Sequence, residues 1–139
     1  NKENVTEKEL QNAIDLIRLS EDQFTFWDTK PNEYGLRMMA TPCVFEQYKY
    51  QKPVDHSAHN VAMAFLDLYE ETGDKLAFAK AKALIDNMTV VQNKGNGQIP
   101  TTWDFRTPYH DSNRSFWTNC TYAAVTALLR MDKLTENEK

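Results

Sequence analysis

The chain is poor in glycine and cysteine, has no long apolar run and no excess of basic charge, and each shortage removes a class of function. Lys and Arg number 16 against 20 Asp and Glu, for a net charge of −4. The basic footprint that a phosphate backbone demands is missing, so nucleic acid is not an expected partner. No uninterrupted apolar stretch approaches the roughly 20 residues that cross a bilayer, so no membrane insertion is expected. Two cysteines, Cys43 and Cys120, do not make a disulfide framework. They read as free buried thiols, with pairing across the fold left open, and further soft ligands at metal-site spacing are absent. With only four glycines, the sequence holds no phosphate-cradling loop, and it has neither a nucleophile elbow nor a CxxC. Nucleotide-dependent and serine-hydrolase chemistry have no support, and no cofactor is expected.

What remains is a chain of 139 residues with 41% hydrophobic and 26% charged side chains, enough to bury a core and inconsistent with wholesale disorder. One domain over 1–139 is the natural reading. The opening NKENVTEKEL is neither methionine-initiated nor a signal peptide, which reads as the start of a fragment or a processed product.

The periodicity predicts an all-α fold. Residues 57–93 hold two helical patterns joined by a Gly73–Asp74 turn. The first has apolar residues at Val61, Ala62, Phe65, Leu68 and Tyr69, and the second at Ala77, Ala81, Leu84, Ile85 and Met88. Gly73 suits a left-handed C′ position and Asp74 an N-cap. Upstream, Thr6 and Glu9 form a capping box with Val5 and Leu10 at the staple positions. The helix expected there, about 7–21 with a possible extension to Trp27, carries Leu10, Ala13, Ile14 and Ile17 on its apolar stripe. A last helix over about 116–131 places Ala123, Ala124, Ala127, Leu128 and Met131 on its apolar side, with TENEK as a fraying tail. Two long connections, 28–56 and 98–116, lie between these helices. The alternation of a short turn with long loops sets both loops at one end of an antiparallel array.

Those loops and their borders hold most of the aromatic side chains, seven from Phe24 to Tyr50 and five from Trp103 to Trp117. Flat apolar faces beside a few polar groups are what a sugar-binding cleft needs. The same aromatics also serve as lids over a helical layer, and that reading stays open for each one singly. Glycoside hydrolysis requires two carboxyls flanking the scissile bond. Glu46, set in PCVFEQYKY, and Asp104, beside Trp103 in IPTTWDF, are the candidate pair; salt bridging or loop capping is the alternative. His56 and His59, spaced i, i+3, lack a further metal ligand at a recognisable spacing. His59 and Asn60 suit a substrate-facing role; His56, before a plausible N-cap at Ser57, suits loop orientation and is also a candidate substrate contact. Trp27, Tyr48, Trp103, His110 and Trp117 complete the candidate substrate contacts. Asn119 suits capping, and NVT, NMT, NRS and NCT match the glycosylation pattern at Asn4, Asn87, Asn113 and Asn119.

Ala58, Asn60, Ala62, Leu66, Leu68, Tyr69, Thr72, Gly73 and Asp74, followed by Ala81, Leu84, Gln92, Gly97, Ile99 and Pro100, form a pattern that resembles the helical hairpins of six-hairpin (α/α) toroid carbohydrate-active enzymes. The resemblance covers roughly 57–131, and the N-terminal half only by architecture. It implies an incomplete toroid-like array of antiparallel hairpins, with carbohydrate as partner and a glycoside hydrolase-like parent from a carbohydrate-degrading bacterium, periplasmic or secreted. A complete toroid has twelve helices against the four expected here, which implies a C-terminal piece of a larger enzyme or an isolated segment of such a fold; the remainder of the parent toroid would be a further partner and the isolated fragment need not be active. The family also includes polysaccharide lyases and sugar epimerases, which would need His59, His110 or Tyr48 as a base. A non-catalytic carbohydrate-binding or helical interaction module is the other reading. No family set of catalytic residues maps onto this chain residue by residue.

Overall fold

Four helices and one two-stranded ribbon make up the residues described by the computed structural model, which are 5–27, 42–45, 53–92, 97–102 and 116–137. In chain order these are α1 (Glu7–Phe24), β1 (Thr25–Phe26), β2 (Cys43–Val44), α2 (Asp55–Thr72), α3 (Lys75–Val91) and α4 (Thr118–Asn137). The fold class is all-α.

α1 begins at the expected capping box. Thr6 Oγ1 accepts from the Glu9 amide at 3.3 Å, and the Glu9 carboxylate accepts from the Thr6 amide at 2.8 Å. The Thr6 hydroxyl, which donates to the Glu9 carboxylate at 2.7 Å, and then the Thr6 amide hold the Glu9 carboxyl below the usual glutamate range. The helix passes the expected end at 21 and stops at Phe24, because Thr25 turns extended and enters the ribbon. No residue of α1 is fully buried. Ile14, Ile17 and Phe24 are half-covered against the core, and a half-buried aliphatic side chain contributes only about 1 kcal/mol. Ala13, expected on the stripe, faces solvent.

The α2–α3 hairpin carries the core. Gly73 closes α2 at φ 72°, its amide donating to Tyr69 O at 2.7 Å. Asp74 then caps α3 by accepting from the Leu76 and Ala77 amides at 2.9 and 3.4 Å. Ala62, Phe65, Leu66 and Leu68 of α2 form one buried cluster with Ala77, Ala81, Leu84 and Ile85 of α3 and Ala127 and Met131 of α4. The alanines are what let these backbones approach closely. Leu66 lies outside the stripe read from the periodicity. It is buried because α2 packs against α1, α3, α4 and β2, which cover more than one face of it.

α4 runs parallel to α2. The ring of His56, early in α2, meets Trp117 at the start of α4. Farther along, Arg130 donates to the Met63 carbonyl at 3.4 Å and to the carboxylates of Asp67 and Glu70. Burial pulls the Arg130 guanidinium down, but Glu70 and Asp67 outweigh it and raise its pKa overall. α4 extends as far as Asn137, into the segment expected to fray, as Leu134 packs on the core and the Thr135 hydroxyl donates to Met131 O at 2.9 Å. Leu128, expected on the apolar side, is exposed, because Ala127 and Met131 occupy the core line. Tyr122 (73% exposed) and Leu129 (66%) lie with Val125 on the outer face.

β1 and β2 pair antiparallel with Thr25 opposite Val44 and Phe26 opposite Cys43. The ribbon continues as single bridges, Phe45 to Pro53 and Val54 to Thr102. This pairing also moves the start of α2. The Val54 amide donates to Val44 O at 2.9 Å, Val54 stays extended as N-cap, and the helix begins at Asp55 rather than after Ser57. Cys43 and Cys120 are both buried, and no disulfide joins them.

Candidate functional site

The borders of the two long connections meet where α2 and α4 begin and α3 ends. Pro53 and Val54 are consecutive, and they pair with Phe45 on one side and Thr102 on the other. The last residues of the first connection are thus flanked by an earlier part of that connection and by the second. Ile99, from the second connection, is buried with Met88 of α3 and with Cys120 and Ala124 of α4. Gln92 closes this corner by donating from Nε2 to Gly97 O, with Gly97 at φ 73°. A backbone ribbon and a small apolar cluster therefore fix the end of the array on which the loops are mounted.

Three of the expected contact residues come together on this end. The Trp117 and His56 rings have centroids 5.3 Å apart and planes tilted by 50°. Asn60, one turn along α2, places Nδ2 at 3.3 Å from His56 Nδ1. Trp117 is 49% exposed and Asn60 is exposed. The arrangement offers solvent an indole and a side-chain amide, with an imidazole held between them. Such groups can stack on a pyranose face and hydrogen-bond its hydroxyls.

Other expected residues fall elsewhere. His59 is 1% exposed on the inward side of α2, so it does not share solvent with His56. Among the described residues no group of three His, Cys, Asp or Glu could hold a metal ion. Trp27 lies nearer Phe65, which is about 13 Å along α2 from His56 at the helical rise. Its ring packs on Phe65 at 6.0 Å, Lys80 Nζ sits 5.6 Å from its centroid, and its Nε1 donates to Glu21 at 2.9 Å. These contacts tie the end of α1 to α2 and α3 and hold the half-buried Trp27 ring against Phe65 and Lys80. Glu46, Asp104, Tyr48, Trp103 and His110 lie outside the described residues. Glu46 directly follows the paired residue Phe45, and Trp103 directly follows the paired residue Thr102.

The glycosylation pattern separates in the same way. Asn87 is buried and donates to Pro42 O at 2.8 Å, so in the folded chain its amide is committed to the ribbon. Asn119 is exposed in the first turn of α4. The polar node of Glu21, Lys80 and Trp27 had no signal in the sequence, since Glu21 and Lys80 stand 59 positions apart. Comparison with family models, curated proteins and solved structures finds no match to this chain.

Proposed function

We propose that this chain is part of a carbohydrate-processing protein of the glycoside hydrolase type, and that sugar docks at the end of the array where α2 and α4 begin. The observation that carries the reading is the half-exposed Trp117 indole held against His56, with Asn60 bound to the same imidazole. The backbone pairing of Val54 with Thr102 supports it, because it brings the borders of both aromatic connections to that end. The hydrolytic step is assigned to Glu46 and Asp104 on their sequence setting. One carboxyl would protonate the glycosidic oxygen while the other attacks the anomeric carbon or activates water. The incomplete toroid is part of the same proposal. The exposed Tyr122, Val125 and Leu129 on the outer side of α4 are the kind of face that a further helix covers.

The test is isothermal titration of the chain with neutral and uronate-containing oligosaccharides, followed by product analysis on the same substrates. Saturable binding that weakens in Trp117→Ala is the expected result. In a hydrolase, Glu46→Gln and Asp104→Asn abolish turnover and leave binding in place. Binding without turnover in the unsubstituted chain would instead support the non-catalytic module, and absence of binding to every sugar class would remove the carbohydrate reading.

A further inference from the structure

We propose that the helix covering the outer face of α4 is α4 of a second copy of this chain, lying antiparallel across a two-fold axis. The proposal stands whether or not the chain binds sugar. Thr118, Tyr122, Val125, Leu129, Asp132 and Glu136 recur at alternating intervals of four and three, the spacing of a helix-pairing seam. All six are exposed, on the side of α4 opposite the core line of Ala123, Ala124, Ala127 and Met131. Exposure is large where the side chains are apolar, 73% at Tyr122 and 66% at Leu129. From Thr118 to Leu129 the helix has no charged residue. The first that follows, Arg130, is turned toward α2 by Asp67, Glu70 and the Met63 carbonyl. Three turns of α4 therefore present an uncharged, partly apolar stripe to solvent, ending in two acids.

Charge along the seam selects both the occupant and its direction. Tyr122 and Leu129 are symmetric about a point between Val125 and Thr126. An antiparallel copy centred there sets each Tyr122 against the partner's Leu129 and brings the two Val125 side chains together at the axis. Asp132 then reaches the level of the partner's Asn119, with Glu136 just beyond it. That is the N-terminal turn of the facing helix, where the first amides lack intrahelical acceptors and the dipole favours negative charge. Lys133 alongside reduces the negative charge without reversing it. A parallel copy would instead lay Asp132 on Asp132 and Glu136 on Glu136. A patch that is apolar in the middle, acidic at one end and electropositive at the other is complementary to itself after a two-fold rotation, as an isologous interface requires. A partner of unlike sequence has to supply both features; a second copy already has them. One helix face about 30 Å long falls short of the roughly 800 Å² per partner of a standard interface. The dimer is therefore reversible, with Kd on the order of 100 μM.

Sedimentation equilibrium of the full chain, at concentrations from about 5 to about 500 μM, tests this. The mass should rise with concentration from 16.1 kDa toward twice that value. Leu129→Glu should weaken the association about tenfold or more. Leu16→Glu, at a leucine of similar exposure on α1 (64%), should leave it unchanged, and both variants should keep their helicity by circular dichroism. Direction is read by cross-linking. Tyr122→Cys mixed with Leu129→Cys should be bridged by a short bis-maleimide, and neither variant with itself. Cys43 and Cys120 are buried, and the unsubstituted chain treated in the same way is the control. A chain that stays monomeric throughout overturns the proposal and leaves the face to a different partner. A dimer indifferent to Leu129→Glu overturns it as well, and so does self-bridging of Tyr122→Cys. Should Leu129→Glu lose helicity, the mass of the unsubstituted chain and the bridging pattern decide the matter alone.

Discussion

Trp117 and His56 stand with their rings 5.3 Å apart, although the whole of α3 and the second long connection separate them in sequence. This contact joins the first turn of α2 to the start of α4, on the side remote from the Gly73 turn. Their coupling is measurable. A double-mutant cycle of His56→Ala and Trp117→Ala, read by urea unfolding, should give an interaction energy of about 0.5–1.5 kcal/mol. Additive losses would mean that the rings are neighbours without mutual stabilisation.

The central place of α2 sets the second prediction. Leu66→Ala should cost about 2–5 kcal/mol, the usual loss for a fully buried leucine. Leu16→Ala, at 64% exposed on α1, should stay within about 0.5 kcal/mol. Both are read from equilibrium denaturation midpoints at unchanged slope. Similar losses at the two sites would contradict the assignment of the core to the α2–α3 hairpin.

Gly73 isolates a backbone effect. A Cβ built at this position meets nothing within 4 Å, while φ is 72°. Gly73→Ala should therefore destabilise by about 1–2 kcal/mol through left-handed strain alone. Gly73→Asn should recover part of that loss, since asparagine tolerates this region better. Thermal unfolding of the three chains checks the order; equal stability of glycine and alanine would refute the strained turn.

The Glu9 carboxyl gives a pH prediction. Its folded pKa is lowered by its hydrogen bonds to Thr6, so the unfolded chain binds its proton more readily. Its contribution is therefore complete above the ordinary glutamate pKa and is lost as pH falls through the lowered folded value. Glu9→Gln should flatten that part of the stability profile and leave the neutral-to-alkaline part unchanged in shape. Melting temperatures taken across the acidic range, with and without the substitution, check this. An unchanged acid slope would show that other groups set it.

The parts of the fold legible in the sequence were those fixed by local chemistry. The Thr6–Glu9 box and the Gly73–Asp74 turn each draw their hydrogen bonds from residues within a few positions, so the pattern is visible in one window. The ribbon was not legible. Two residues per strand are too few for an alternating pattern, yet this pairing halts α1 at Phe24 and starts α2 at Asp55. Leu66 and Leu128 fell on unexpected sides because helical periodicity ranks faces by composition, whereas neighbouring elements decide which faces are covered. At the site, the meeting of both connections at one end followed from loop lengths, but the pairing of His56 with Trp117 and the withdrawal of Trp27 into the Glu21–Lys80 node depend on tertiary contacts.

The two tryptophans with described surroundings permit the most direct measurement of the central claim. In a ¹H–¹⁵N spectrum the indole Nε1–H signals can be assigned with Trp27→Phe and Trp117→Phe. An oligosaccharide that binds this chain should shift the Trp117 signal along a saturable curve and leave that of Trp27, whose ring is occupied by Phe65 and Lys80, in place. A saturable shift confined to Trp27, or binding that leaves Trp117 unmoved, would contradict a sugar site at the start of α2 and α4.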